Sequence, residues 1–231
     1  MFFAAVCLAA TEVKAQVTIA PEAGIYNSAT DYKSNTGNDL DKQAKIGPRG
    51  GVNISLPAFN HFFVQSGLFY YMSGNKLSET TSYLGTSTGF KSDITIHNLQ
   101  IPLNLGYEYS VGKAGNLFAT AGPYVGYAFK GNSTSDNYID GDFTGTQKTD
   151  YKFGSNKSTD NMKRFDLGFN FSVGYKTPFG VYVRGNYGLG LTQLSNNATT
   201  SIKNAGFAGT IGYEFKLGKK KVQTENKAKK Q

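Results

Sequence analysis

The chain has 231 residues with 28 Gly, 15 Tyr and 17 Phe, no Trp and a mean hydropathy below zero, so it is aromatic and glycine-rich without being apolar overall. No run approaches the roughly 18 apolar residues a transmembrane helix requires, which excludes a helical membrane protein. The formal charge of +8 is mostly local: residues 218–231 hold Lys219, Lys220, Lys221, Lys227, Lys229 and Lys230 against only Glu225.

At the N-terminus, Phe2 to Ala10 is apolar but too short to span a bilayer. Val13-Lys14-Ala15 follows, with small residues placed for cleavage before Gln16. Residues 1–15 therefore read as a secretory signal peptide. A signal peptide normally opens with Lys or Arg before the apolar stretch, so the translation start is expected upstream of Met1. Cys7, the sole cysteine, lies in the segment to be removed, and Ala4-Ala5-Val6 lacks the context of a lipoprotein acylation site. A mature chain without cysteine holds neither a disulfide framework nor a thiolate metal site.

From Gln16 onward the chain alternates. Successive strand side chains point to opposite faces, so a period of two makes one face apolar and the other polar. The pattern predicts strands near 17–26, 45–56, 61–72, 94–109, 116–129, 164–176, 180–193 and 205–217. It is clearest in the sixth, where Phe165, Leu167, Phe169, Phe171, Val173 and Tyr175 alternate with Asp166, Gly168, Asn170, Ser172 and Gly174. Eleven alternating residues exceed an ordinary strand and match the roughly 9–11 a tilted strand needs to cross a bilayer. Every predicted strand has such an apolar side.

Connections around residues 57–60, 110–115 and 177–179 are tight, whereas 27–44, 73–93, 130–163 and 194–204 are long and rich in Asn, Ser, Thr, Gly and Asp. The strict alternation predicts an all-β, eight-stranded antiparallel up-and-down transmembrane β-barrel over 16–217. Short turns and both termini would be periplasmic, and the long loops extracellular, in a bacterial outer membrane. A soluble lipocalin-type barrel would be apolar inside and polar outside. Here the expected inward set is Glu22, Arg49, Asn53, Gln65, Gln100, Asn104, Glu108, Asp166, Asn170, Ser172, Arg184, Asn186, Thr210 and Glu214, so the apolar face must meet lipid.

Gly50-Gly51-Val52-Asn53-Ile54-Ser55, Leu99-Gln100-Ile101-Pro102-Leu103, Ala121-Gly122-Pro123-Tyr124 and the paired aromatic strands at the C-terminus together resemble the outer-membrane β-barrel domain of Bacteroidota, the family that includes PorT, with a small barrel of the OmpA or OmpX kind. The resemblance covers about 17–217, with Gln100 where the family more often has Glu. It implies a barrel without a catalytic role at these positions. Transfer of PorT's tie to secretion would rest on fold analogy.

Thr210-Ile211-Gly212-Tyr213-Glu214-Phe215-Lys216-Leu217 is similar to the C-terminal assembly signal read by the barrel-insertion machinery, with Thr210, Gly212, Phe215 and Leu217 as its elements. It departs from that pattern because Gly218 and a basic tail follow. An ordinary edge-closing strand is the alternative reading. The tail, 218–231, reads as a disordered, solvated periplasmic segment, with contact to anionic head groups as the alternative.

Candidate chemistry is sparse. Glu22, Arg49, Asp166 and Arg184 all point inward, where burial makes charge pairing nearly compulsory. They form either a structural plug or the lining of a gated ion path. His61 follows the Pro57 turn at the rim. His97 sits where Ile94 and Ile96 fall out of phase with Leu99 and Ile101, implying a bulge near His97-Asn98, and bulges re-aim side chains at functional sites. Eight-stranded lipid A deacylases resemble this arrangement only loosely: Thr95 and Asp93 share the strand, but no serine stands where that pattern wants one. No catalytic, cofactor-binding or metal residue is assigned. The reading is a non-enzymatic barrel, in contact with outer-membrane lipid, whose loops engage a protein partner in envelope maintenance, adhesion or secretion, with a small passive pore as the alternative and no role in nucleic-acid binding. Aromatic Tyr138, Phe143, Tyr151 and Phe153, spaced through the 130–163 loop, make it a candidate contact surface, the alternative being a mobile, solvated loop with hairpin-like extensions of its flanking strands.

Overall fold

The structure, a computed structural model, describes residues 16–28, 31–34, 41–83, 85–156, 159–196 and 200–217. The expected signal peptide and basic tail lie outside the described residues. The strands are β1 (Val17–Ser28), β2 (Asp31–Ser34), β3 (Asp41–Pro57), β4 (Phe62–Ser73), β5 (Asn75–Tyr83), β6 (Thr86–Ser110), β7 (Asn116–Ile139), β8 (Asp142–Asp150), β9 (Phe165–Lys176), β10 (Val181–Gly190), β11 (Thr200–Lys203), β12 (Ala205–Tyr213) and β13 (Phe215–Leu217).

Among these, β1, β3, β4, β6, β7, β9, β10 and β12 form the wall. Each pairs antiparallel with the next in chain order, and β12 returns to β1, as in Ala23 opposite Gly50 on one side and Ile211 on the other. The molecule is therefore an eight-stranded antiparallel up-and-down barrel whose wall leaves no edge to solvate in lipid. The last strand breaks at Glu214 and resumes on β1 as β13.

One rim carries the tight turns. Each depends on a residue with positive φ: Asn60 at 50°, Gly112 at 62° and Gly180 at 97°. Short backbone bonds close them, including Val111 N–H to Gly115 O and Thr177 N–H to Val181 O, both 2.8 Å. Outward residues alternate with inward ones as the period of two predicts. Val173 is 66% exposed and Leu103 57%, whereas Asn170 and Asn53 are 1% exposed.

The opposite rim departs from the expectation of long loops. β6 and β7 continue past the wall, β5 pairs with β6 and β8 with β7, and residues 41–44 of β3 add to β5, making a sheet that stands beyond the barrel. These segments are polar on both faces, so no period of two marks them. Their backbones extend the ladder begun in the wall. β2 and β11, from two of the other expected loops, pair with each other. The seventh wall strand also stops at Gly190 rather than 193.

The register between β6 and β7 slips at His97-Asn98: His97 faces Lys130 and Asn98 faces Ala128. The bulge is where the sequence implied it, but the extra residue is Phe129, on the partner strand. β6 keeps its phase, with Ile96 buried like Asn98 and Gln100, whereas the buried positions of β7 change from even to odd, through Ala128 and Gly131. Ile94 and Ile96 look out of phase because the barrel interior turns apolar at that level.

Candidate functional site

The interior is the first place to look for chemistry, and from the tight-turn rim upward it is filled in layers. A vestibule of about 310 Å³ opens at that rim, lined by Glu108, Asn116, Lys176, Glu214 and His61 among others. Lys176 Nζ lies 2.7 Å from Glu108 Oε2 and 3.0 Å from Glu214 Oε2. The sequence reading included both glutamates but missed Lys176, although it shares the even parity of Asp166 and Asn170 on its strand.

Phe118 and Tyr182 make the vestibule floor, with the Arg184 guanidinium 5.2 and 5.5 Å from their ring centres. Arg184 Nη1 donates to Gln65 Oε1 at 2.8 Å, and its Nε stands 3.4 Å from Glu22 Oε2. Glu22 Oε2 accepts from Asn53 at 2.9 Å and from the Tyr182 hydroxyl at 2.8 Å, while Oε1 accepts from Thr210 at 3.3 Å. A buried carboxylate with one cation and three neutral donors is well satisfied.

Above it, Arg49 lies 4.7 Å from the centre of Phe69 and 5.8 Å from Tyr71, and Nη1 donates to Gln100 Oε1 at 3.1 Å. Gln100 donates onward to Asn170 at 3.2 Å. Asp166 sits higher still, its Oδ2 accepting from Tyr124 at 2.9 Å and Asn204 at 3.0 Å. The structure thus brings Glu22 and Arg184 together and leaves Arg49 and Asp166 apart, each with neutral partners. A single four-charge network is not formed.

Ile96, Ala128, Phe153, Met162 and Leu194 roof the lumen at the long-hairpin rim, with Ile94, Tyr151 and Ile202 packed against them. Phe153 pairs with Met162 and Met162 with Ser195, so the segments after β8 and β10 fold inward over the opening. Tyr151 and Phe153 belong to this roof, while Tyr138 and Phe143 face each other in the projecting sheet at 6.0 Å.

Inner aromatic rings lie over glycines of a neighbouring strand. A Cβ built on Gly106 would come within 2.2 Å of the Phe63 ring, one on Gly206 within 2.3 Å of Tyr26, and one on Gly212 within 2.5 Å of Tyr182. Only hydrogen leaves room for rings of that size in so narrow a barrel. Two residues of the expected assembly signal have lumen contacts of this kind: Gly212 lies beneath Tyr182 and Thr210 bonds Glu22. Phe215 and Leu217 point outward and are exposed.

The outer wall carries two aromatic girdles. Near the tight turns Phe62 meets Phe59 and Tyr107, and Tyr213 meets Phe215. Exposed His61 stacks edge-on to Tyr107 at 5.8 Å. Near the other rim Tyr70, His97 and Phe129 cluster, Tyr127 meets Phe165, and Tyr187 meets Phe207. Around the bulge, His97 Nδ1 is 2.7 Å from the Tyr70 hydroxyl, Asp93 pairs with Lys45, and Lys45 Nζ donates to Thr95 Oγ1 at 2.6 Å. Of the three strand neighbours, Thr95 and Asp93 thus bond to Lys45 and His97 to Tyr70, so Thr95 and His97 do not form a nucleophile–base pair. Among the described residues no three His, Cys, Asp or Glu side chains stand close enough to share a metal ion.

The family model described as "Outer membrane protein beta-barrel domain" matches residues 14–194. No curated protein matches the sequence. Among solved structures, the chain is similar to the outer membrane protein OprG from Pseudomonas aeruginosa, at 12% identity over 89% of this chain and 100% of that one, with a TM-score of 0.48. It is similar to Neisserial surface protein A at 10% identity over 86% and 97% of the two chains, TM-score 0.41. It is also similar to Ail, the attachment invasion locus protein of Yersinia pestis, at 10% identity over 86% and 98%, TM-score 0.37.

Proposed function

We propose that this chain, which belongs to the outer membrane protein β-barrel domain family and so resides in a bacterial outer membrane, is a non-enzymatic barrel that displays its projecting sheet to a partner outside the cell. The observation that carries the reading is the sheet itself. β6 and β7 are 25 and 24 residues long, against the roughly 9–11 a tilted crossing needs. The excess pairs with β5 and β8 into a rigid, polar surface, whereas the interior is closed by side chains and a roof. Short turns on one rim and long hairpins on the other favour periplasmic termini, with the hairpins outside.

The roof and the ring layers also argue against the small passive pore. The likeness to the PorT-containing Bacteroidota barrels keeps secretion, adhesion and envelope maintenance as the settings for such a partner. A cleaved signal peptide at 1–15 and recognition of the last strand by the assembly machinery complete the reading.

Sidedness and display are tested together in intact cells. A Thr146→Cys variant, with its cysteine on exposed β8, is expected to react with a membrane-impermeant maleimide. Labelling only after the outer membrane is permeabilised would overturn the orientation and, with it, the display role.

A further inference from the structure

On the outer wall the long-hairpin girdle ends in two cations. β9 presents Phe165, Leu167, Phe169, Phe171, Val173 and Tyr175 outward, about 33 Å along the strand and about 25 Å deep at a tilt near 40°, the height of a barrel's apolar band. The next residue beyond Phe165 is Arg164, exposed. On β7 the outward series Leu117, Ala119, Ala121, Val125, Tyr127 and Phe129 ends at Lys130, also exposed. Both strands therefore pass from aliphatic to aromatic to cationic at the same level, since Tyr127 pairs with Phe165 and the Ala128 N–H donates to Arg164 O at 2.8 Å.

The bulge sets this arrangement. With Phe129 as the extra residue, Lys130 stands opposite His97 and shares its outward face. Without the slip, the alternation of β7 would turn Lys130 toward the apolar roof. Arg164 is fixed by Nη1 donating to the Tyr127 hydroxyl at 3.0 Å and Nε donating to Phe153 O at 2.8 Å. Among the described residues no hydrogen bond is made by its Nη2, and neither cation has a carboxylate partner. Lys45 nearby is neutralised by Asp93. Two unneutralised cations among aromatic rings at the end of a hydrocarbon-facing band complement an anionic head group whose chains lie along that band.

We propose that Lys130 and Arg164, flanked by His97, Tyr127 and Phe129, bind the phosphate of a lipid head group in the leaflet around the long-hairpin rim. Only the choice of leaflet rests on the orientation argued above; with the hairpins outside, the ligand is a phosphorylated glycolipid of the outer leaflet. Charge-assisted bonds from a guanidinium and an ammonium grip the phosphate, and the aromatic rings meet the upper acyl segments.

The test uses the folded full chain in dodecyl maltoside micelles, which carry no phosphate, titrated with diphosphorylated lipid A, dephosphorylated lipid A and inorganic phosphate, with bound lipid read by native mass spectrometry. The expected result is preference for the phosphorylated lipid, weakened roughly thirtyfold in Lys130→Gln/Arg164→Gln and unchanged in Lys113→Gln, which removes an exposed charge at the other rim. Equal binding by the double variant or of the dephosphorylated lipid would overturn the site. Competition by inorganic phosphate at the lipid's own concentration would make it a soluble-anion site and overturn the lipid assignment. A heat-dependent gel shift confirms that the double variant is folded, and maleimide labelling of Thr146→Cys tests the leaflet separately from the binding.

Discussion

Glu22 and Asp166 are both buried carboxylates of the lumen, but their surroundings give opposite forecasts. Glu22 faces Arg184 and loses its closest cation among the described residues in Arg184→Ala. Breaking a buried pair of this kind costs about 3–5 kcal/mol, and the three neutral donors on Glu22 place this case at the lower end. Glu22→Gln with Arg184→Gln is expected to cost less than the sum of the single changes, because no charge is orphaned. Asp166 supports no cation, so Asp166→Asn is expected to cost less than about 1 kcal/mol. Urea unfolding in detergent micelles measures all five variants; additive losses at Glu22 and Arg184 would show that the pair does not interact. Parity on each strand made the inward direction of these residues legible. Distance from the tight turns also set Glu22 with Arg184, which do meet, whereas Arg49 and Asp166 are kept apart by the stagger between strands, which no local pattern encodes.

The strands were legible wherever one face met lipid and the other the lumen. They were not legible beyond the rim, where β5, β8 and the outer halves of β6 and β7 are polar on both sides and a one-residue slip is not penalised by burial. Glycines gave a different difficulty: in sequence Gly106 is only a small inward residue, and its reason is Phe63, two strands' sequence away but adjacent in the wall. Gly106→Ala is expected to destabilise the protein by about 1–3 kcal/mol through overpacking. The same change is expected to be nearly neutral in a Phe63→Ala background, since all three nearest atoms to the added Cβ belong to the Phe63 ring. An equal loss in both backgrounds, read by urea unfolding, would move the cause from the ring to the backbone.

At the scale of the whole molecule, the lumen is filled by the apolar roof and, below it, by layers of Arg49, Phe69, Tyr71, Tyr26, Phe118 and Tyr182. If these layers close the middle of the barrel, removing the roof alone does not open it. A variant with residues 151–162 replaced by a short Gly-Ser linker, which takes Tyr151, Phe153 and Met162 out of the roof, is expected to show no stepwise current in planar bilayers. Channel events in that variant would place the seal in the roof and revive the pore reading. The projecting sheet is independent of this seal, because its strands are held by ladder bonds to β6 and β7 rather than by the roof.

The period of two is a local property, so the sequence by itself determined the barrel class, the wall strands, the two faces and the alternation of tight and long connections. A bulge was legible too, from two isoleucines out of phase. Only the tertiary structure decided that the extra residue is Phe129, that Lys130 therefore faces outward beside Arg164, that Arg49 and Asp166 do not meet, and that the long connections become a sheet and a roof. Each of these depends on the register between strands brought together from distant parts of the chain, as with Tyr182 and Glu22, which bond across 160 residues. Alternation along one strand excludes a slip by one residue but not by two, so the full register is set by the tight turns and the closure of the whole ring.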